Sequence, residues 1–287
     1  MAISPTGTIR SRLVESQQHS QSAGQDLEAG ELPERSRDFN QSVARGLEII
    51  ETFGSDAPHQ TVSEVASKTG LTRATARRFL LTLVELGYMT TDGRTFQLSP
   101  RVLRLGYSFL SGLGFPSVAL PHLEALVAEV DEASEASILD DQDVVYVVRV
   151  PGTRLMTMAV NVGSRMPAHA TSMGRVLLAG LSDLELDAYL ASARLERFLP
   201  HTATDRETLR ERILKARADG YAIVDQELEE GLIAVAVPIH DRMRRVVAAV
   251  NLSTHVGRHD ADSVRRELLP PLQRYAALIE RDLANVV

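Results

Sequence analysis

Between residues 61 and 98 the chain carries two helix starts, a helix stop and a hairpin turn in an order that few folds can accommodate. Thr61 and Glu64 read as a capping box, in which a hydroxyl and a carboxylate satisfy the amides left open where a helix begins. The helix they open presents Val62, Val65 and Ala66 to a core, and Gly70 stops it as a left-handed cap. After Leu71, Thr72 caps a third helix that ends near Gly87. Upstream, Val43, Leu47 and Ile50, with Phe53 after them, are spaced as the stripe of a first helix, so order begins near Asn40. Two capped helices separated by about three residues, with a glycine in the turn, predict a helix-turn-helix.

The third helix divides its faces by chemistry. Ala76, Phe79, Leu80 and Leu83 form the inward stripe, while Arg73 and Arg77 lie four apart on the other side, beside Thr75 and Arg78. Arginine pairs bidentately with guanine or clamps a phosphate, so this face suits a major groove. Taken alone, the helix is explained equally well as a solvated basic surface. The residues that follow decide between the two. Residues 88–91 and 95–98 are short β-prone runs joined through Asp92 and Gly93, a hairpin turn pair. A wing therefore follows directly, with Arg94 at its tip facing a phosphate. Thr72, Arg73, Thr75, Arg77, Arg78 and Arg94 are the candidate DNA contacts. Ser99 as cap and Pro100 in the first turn then open another helix, reaching about Gly112.

A net charge of -7 argues against a DNA binder only until it is divided along the chain. Residues 40–106 hold eight Lys or Arg against six acids, the tail before them four against six, and the remainder nineteen against twenty-six. The basic excess thus falls where the DNA-binding pattern lies, and what counts there is its placement on one face. Residues 1–39, rich in Ser, Gln, Glu and Gly, offer too little apolar surface to offset their ordering entropy and are expected to be disordered. The absence of cysteine excludes disulfides, thiolate nucleophiles and Cys-based zinc sites. No apolar run is long enough for a membrane helix, and the N-terminus lacks a secretory h-region, so a cytoplasmic protein is expected.

Beyond Gly114 helical periodicity at 117–131 gives way to β-prone runs at 136–139, 144–150 and 156–160. Helices are predicted at 172–180, 182–192 and 205–219, strands at 221–224, 233–239 and 246–252, and a last amphipathic helix at about 260–284. The pattern predicts an α+β domain around a mainly antiparallel sheet. The expected organisation is a winged helix-turn-helix at 40–99, a linker helix at 100–114 and a second domain at 115–287.

The blocks SVARGLEIIETF, TVSEVASKTGLTRATARRFLLTLVELGY and DGRTFQLSPRVLRLG resemble the winged domain and linker of the IclR family of bacterial transcription factors. PAHATSMGRVLLAG, DGYAIVDQELEEGL and VAAVNLSTH resemble three blocks of that family's effector domain, and the likeness spans roughly residues 40–284. Several blocks look like its PcaR/PcaU/PobR branch, which regulates degradation of aromatic acids through protocatechuate, 4-hydroxybenzoate and β-ketoadipate. The resemblance implies a GAF-like effector domain, homodimers through the DNA-binding domains, and tetramers as dimers of dimers. It implies effector contacts at Leu155, Met158, Ser172, Met173, Asp225, Leu232, Ala234, Asn251 and Ser253. No cofactor and no metal are expected.

The residues themselves agree in part. Ser172, Met173 and Gly174 open an apolar helix and would offer backbone amides to a carboxylate, unless Ser172 is simply its cap. Arg149 and Arg165 flank this region and could meet an acidic ligand or a structural partner. Asp225 ends a strand before the acidic run 227–230, so a solvated loop is the alternative for it. Ser172, His169 and Asp225 are the residue types of a hydrolase triad, but no G-x-S-x-G elbow surrounds the serine. His255 and His259, next to Asp260, have metal-ligand spacing only if helical, and Gly257 between them argues against that. A DNA-binding architectural protein with no ligand is the remaining alternative.

Overall fold

The computed structural model describes residues 38–54, 56–153 and 160–286. The chain divides into two compact units, one ending at Val102 and the other beginning at Leu103. Residues 1–37 of the tail expected at 1–39, residues 156–159 of the strand expected at 156–160, and Leu155 and Met158 lie outside the described residues.

In the first unit each helix start is set by a side chain. Asn40 accepts the amides of Ser42 and Val43 and opens α1 (Gln41–Glu51). The Thr61–Glu64 capping box opens α2 (Val62–Thr69), and Gly70 closes it at φ 63°, where a side chain would be strained. Thr72 accepts the Thr75 amide and opens α3 (Arg73–Glu85). The hairpin β2 (Met89–Thr91) and β3 (Thr95–Leu98) pairs antiparallel, and β1 (Gln60–Thr61) adds to its other edge in the order β1-β3-β2. Ile49, Phe53, Val65, Ala76, Leu80, Leu83, Met89 and Phe96 form the core.

The stripe expected on α1 is only half right. Phe53 is buried and Ile50 packs partly buried against the core, joined by Ile49, whereas Val43 and Leu47 stay about half exposed, as does Phe39 before the helix. After the hairpin, the helix expected from Pro100 begins as a 3-10 turn, Pro100–Val102, before α4 (Leu103–Leu113). Ser99 causes the tighter start. Its hydroxyl bonds the Gly87 carbonyl at 2.5 Å and accepts the Arg101 amide, and its carbonyl takes Val102 N–H in an i→i+3 bond.

The second unit centres on a six-stranded sheet, ordered β6-β5-β4-β9-β8-β7 and antiparallel throughout. Its strands are β4 (Ser134–Asp140), β5 (Asp143–Val150), β6 (Arg165–Pro167), β7 (Ala222–Asp225), β8 (Leu232–His240) and β9 (Val246–His255). Alternation along β9 separates two cores. Val250 and Leu252 face the layer of α5 (Phe115–Val130) and α9 (Leu269–Val286), while Ala249 faces α6 (Ser172–Ala179), α7 (Asp183–Ser192) and α8 (Arg206–Asp219). A helical turn, Ala261–Ser263, and a π-helical segment, Val264–Leu268, precede α9. Pro270 and Pro271 have no N–H to give the preceding turn, which accounts for the interrupted helix there.

Candidate functional site

Two surfaces collect the candidate residues, one in each unit. On α3, Arg73, Arg77 and Arg78 are exposed, and among the described residues their guanidinium groups make no ion pair. Thr72 and Thr75 join hydroxyls at 2.9 Å, so Thr75 is half-buried and engaged in the cap. Arg94 is exposed at the wing tip, which Asp92 holds rigid. The Asp92 carboxylate accepts the amides of Arg94 and Thr95 at 2.8 and 2.6 Å and the Thr95 hydroxyl at 3.0 Å. Led by the Thr95 amide, these bonds hold the Asp92 carboxyl down at about 2.

In the second unit a small cavity lies on the α6 face of the sheet. Its helix end is capped by Thr171, not by Ser172 as the sequence allowed, because Thr171 accepts the Gly174 amide at 3.0 Å. A side chain at Gly174 would lie 2.2 Å from the Ala168 carbonyl oxygen, and this close approach fixes the helix start. Gly174 therefore does not offer its amide, whereas the Ser172 and Met173 amides have no acceptor among the described residues. The cavity brings together six of the predicted residues: Ser172 and Met173 from α6, Leu232 and Ala234 from β8, and Asn251 and Ser253 from β9. Its space is about 30 Å³, room for little more than a water, so a ring-sized guest fits only if the walls rearrange.

The floor holds a polar circuit that sequence reasoning missed. Asn251 Oδ1 accepts the Glu135 amide at 2.8 Å, Asn251 Nδ2 donates to Ser253 Oγ at 3.0 Å, and Ser253 Oγ lies 3.2 Å from Glu135 Oε2. Burial pushes the Glu135 carboxyl up, against the bonds from Asn251 and Ser253 and the charge of Arg149. Tyr146, another wall residue, has its hydroxyl pushed up by burial and then by Glu135.

Behind α6, Arg175 forms a fork with Glu227 at 2.9 and 2.7 Å, both side chains being buried. Arg175 also donates to the His169 carbonyl at 3.1 Å, and Arg212 approaches Glu227 at 3.0 Å. Glu227 is the acidic residue at the cavity, and Asp225 is not. Asp225 is exposed and lines instead a charged cleft of about 390 Å³ with Lys215 and Arg265, which shares Glu227 with the cavity. The available signal was Arg175 itself, a lone cation in an apolar helix that must find a buried acid.

The remaining candidates fall elsewhere. His169 bonds the Glu196 carbonyl at 3.0 Å, and burial holds its imidazole below the usual range. It makes no hydrogen bond to Ser172 or Asp225, so no triad forms. Arg165 pairs with Asp140 and Asp143 on the surface. Arg149 is half-buried, and its Nε has no hydrogen-bond partner among the described residues. His255 ends β9 and accepts the Gly257 amide, while His259 lies between Glu132 and Glu267, so the two are not a helical pair.

Residues 42–93 match the IclR helix-turn-helix domain, and residues 107–281 match the bacterial transcriptional regulator IclR C-terminal domain. The chain belongs to the IclR family. Its relatives include the Pca regulon regulatory protein of Pseudomonas putida, 42% identical over 236 residues that cover 82% of this chain and 81% of that one. Among solved structures, a transcriptional regulator from Rhodococcus sp. RHA1 is 53% identical with a TM-score of 0.79, covering 87% of this chain and all of that one. An IclR homolog from Microbacterium hydrocarbonoxydans, complexed with 4-hydroxybenzoate, is 28% identical with a TM-score of 0.75, covering 84% and 98%. This IclR-family regulator thus pairs a helix-turn-helix unit with an effector domain built on an antiparallel sheet. Among the described residues no helix is long and apolar enough to cross a membrane.

Proposed function

We propose that this IclR-family chain is a cytoplasmic regulator that binds operator DNA through α3 and its wing, and whose operator binding or activity a small aromatic-pathway acid controls. Residues 40–99 serve as the winged domain, 100–114 as the linker and 115–287 as the effector domain. The observation that carries the effector reading is the cavity at Ser172. Two amides without acceptors among the described residues and the positive end of a helix dipole favour an anion there, beside apolar walls from Met173, Leu232 and Ala234. 4-Hydroxybenzoate, protocatechuate and β-ketoadipate match that chemistry, and the likeness to a Pca regulon regulator and to a 4-hydroxybenzoate complex supports the choice. The half-exposed row Phe39, Val43 and Leu47 supports a homodimer through the DNA-binding units, with a tetramer as its pairing.

Ser172→Pro tests the carboxylate placement. Ser172 is the first helical residue, and Thr171 has extended φ/ψ of −118° and 149°, so proline fits there while removing one amide. Calorimetry with the three acids is expected to show one binding the parent and binding this variant more weakly, with circular dichroism unchanged. A folded variant that binds as tightly as the parent moves the carboxylate away from α6. No binding of any acid to the parent favours a DNA binder without this ligand class.

A further inference from the structure

One end of the cavity is wired for the opposite hydrogen-bonding sense from the other, and the residue responsible lies outside it. Asn251 can be oriented in only one way. The Glu135 amide is a donor, so the atom 2.8 Å from it must be Asn251 Oδ1, which turns Nδ2 toward Ser253. Ser253 Oγ therefore accepts from Asn251, and its own proton goes to the acceptor that remains within reach, Glu135 Oε2. One lone pair of Ser253 is left for the cavity, into which Ser253 and Asn251 both face. The α6 end offers amide donors, and the β9 end offers an acceptor.

We propose that Glu135 is a positioning residue for effector selection: by taking the Ser253 proton it makes the β9 end of the cavity an acceptor, and so selects acids that carry a hydroxyl group. The inference rests on the aromatic-acid reading of this site. Glu135 is buried on β4, directly opposite Arg149 on β5, and its own amide anchors Asn251. Backbone and side chain of one residue thus set both members of the polar pair. Glu135 Oε2 accepts the Ser253 proton whether the group is ionised or carries its own proton on Oε1. A serine without that acceptor is free to rotate its proton and no longer holds a lone pair fixed toward the cavity, so the site stops requiring a donor from the ligand.

The test is calorimetry on the full chain with 4-hydroxybenzoate and benzoate, which differ by the one group concerned. The parent is expected to prefer 4-hydroxybenzoate by about tenfold or more, since a site built around a hydroxyl leaves a buried acceptor unpaired with the analogue. Glu135→Leu should bring the two affinities to within about threefold of each other, and Glu135→Gln, whose amide oxygen still accepts, should restore the preference. Ser253→Ala should lose the same preference, and adding Glu135→Leu to it should change nothing further, as expected when one residue acts through the other. A preference unchanged in Glu135→Leu, or in Ser253→Ala should Glu135→Leu not fold, overturns the proposal while leaving the aromatic-acid reading in place. An additive double variant overturns it too. Failure of both compounds to bind the parent overturns the proposal, and the aromatic-acid reading falls with it only if protocatechuate fails to bind as well.

Discussion

Replacing Arg175 with methionine keeps a long apolar stem in α6 but removes a guanidinium that is 4% exposed. Three hydrogen bonds disappear, two of them to Glu227, itself 6% exposed. Removing one partner of a buried pair costs about 3–5 kcal/mol because the other charge is left uncompensated. Here the two partners are not equivalent. Glu227 without Arg175 keeps Arg212 at 3.0 Å and the Ala203 amide at 3.3 Å, whereas Arg175 without Glu227 keeps only the His169 carbonyl. Arg175→Met should therefore fall near 3 kcal/mol and Glu227→Leu nearer 5. For a domain of this size that lowers Tm by about 6–12 °C and 10–20 °C respectively. The double variant Arg175→Met/Glu227→Leu leaves no buried charge orphaned and should cost less than the sum of the two. Thermal unfolding followed by circular dichroism measures all three. A drop below about 3 °C for Arg175→Met, a reversed order of the singles, or additivity in the double refutes the reasoning.

Arg77→Ala should cost about 1–3 kcal/mol in discrimination between operator and unrelated DNA while leaving thermal stability unchanged, since Arg77 is exposed on α3; unchanged operator affinity in a gel-shift titration would show that another residue reads the bases. Arg94→Ala should weaken operator and non-specific DNA alike and reduce the log–log salt slope by about one; an intact slope with altered sequence preference would place Arg94 on base edges. Asp92 should titrate at about 2 by carboxylate NMR. Its contribution to the wing's stability is present above the unfolded value of about 3.9 and is lost as pH falls through about 2; a midpoint near 4 would mean that the wing bonds do not persist in solution.

What was legible in the sequence is what local chemistry decides. Thr61, Glu64, Gly70, Thr72 and the Asp92–Gly93 pair each act within three or four residues of themselves, and each does in the fold what its type predicts. The failures begin where two local answers are equally good. On α1, Val43, Leu47, Ile50 and Phe53 make one regular stripe, yet only Ile50 and Phe53, joined by Ile49, pack with the core of Val65 and Leu80. At α6, Thr171 and Ser172 are both competent caps. The choice is settled by the near-contact of Gly174 with Ala168, a tertiary constraint that no cap propensity contains.

The charged residues of the effector domain were hidden for a different reason. Asp225, Glu227, Glu229 and Glu230 form one acidic run, and burying a charge is so costly that a solvated loop is the sound reading of such a run. Gln226 breaks the strand alternation with φ 50°, Asp225 is left in solvent, and Glu227 turns inward to a partner 52 residues earlier in sequence. Glu135 is hidden similarly: a register shift between Ala136 and Ser137 disrupts the alternation of β4, and the groups that accommodate the acid, Asn251 and Ser253, come from β9. A buried charge becomes visible only with its partner, and both partners here are brought in by the sheet and the helix on its face. The site's apolar and hydroxyl residues could be named through the resemblance to the family's effector-domain blocks, while the acids that orient them could be named only once the strands were paired.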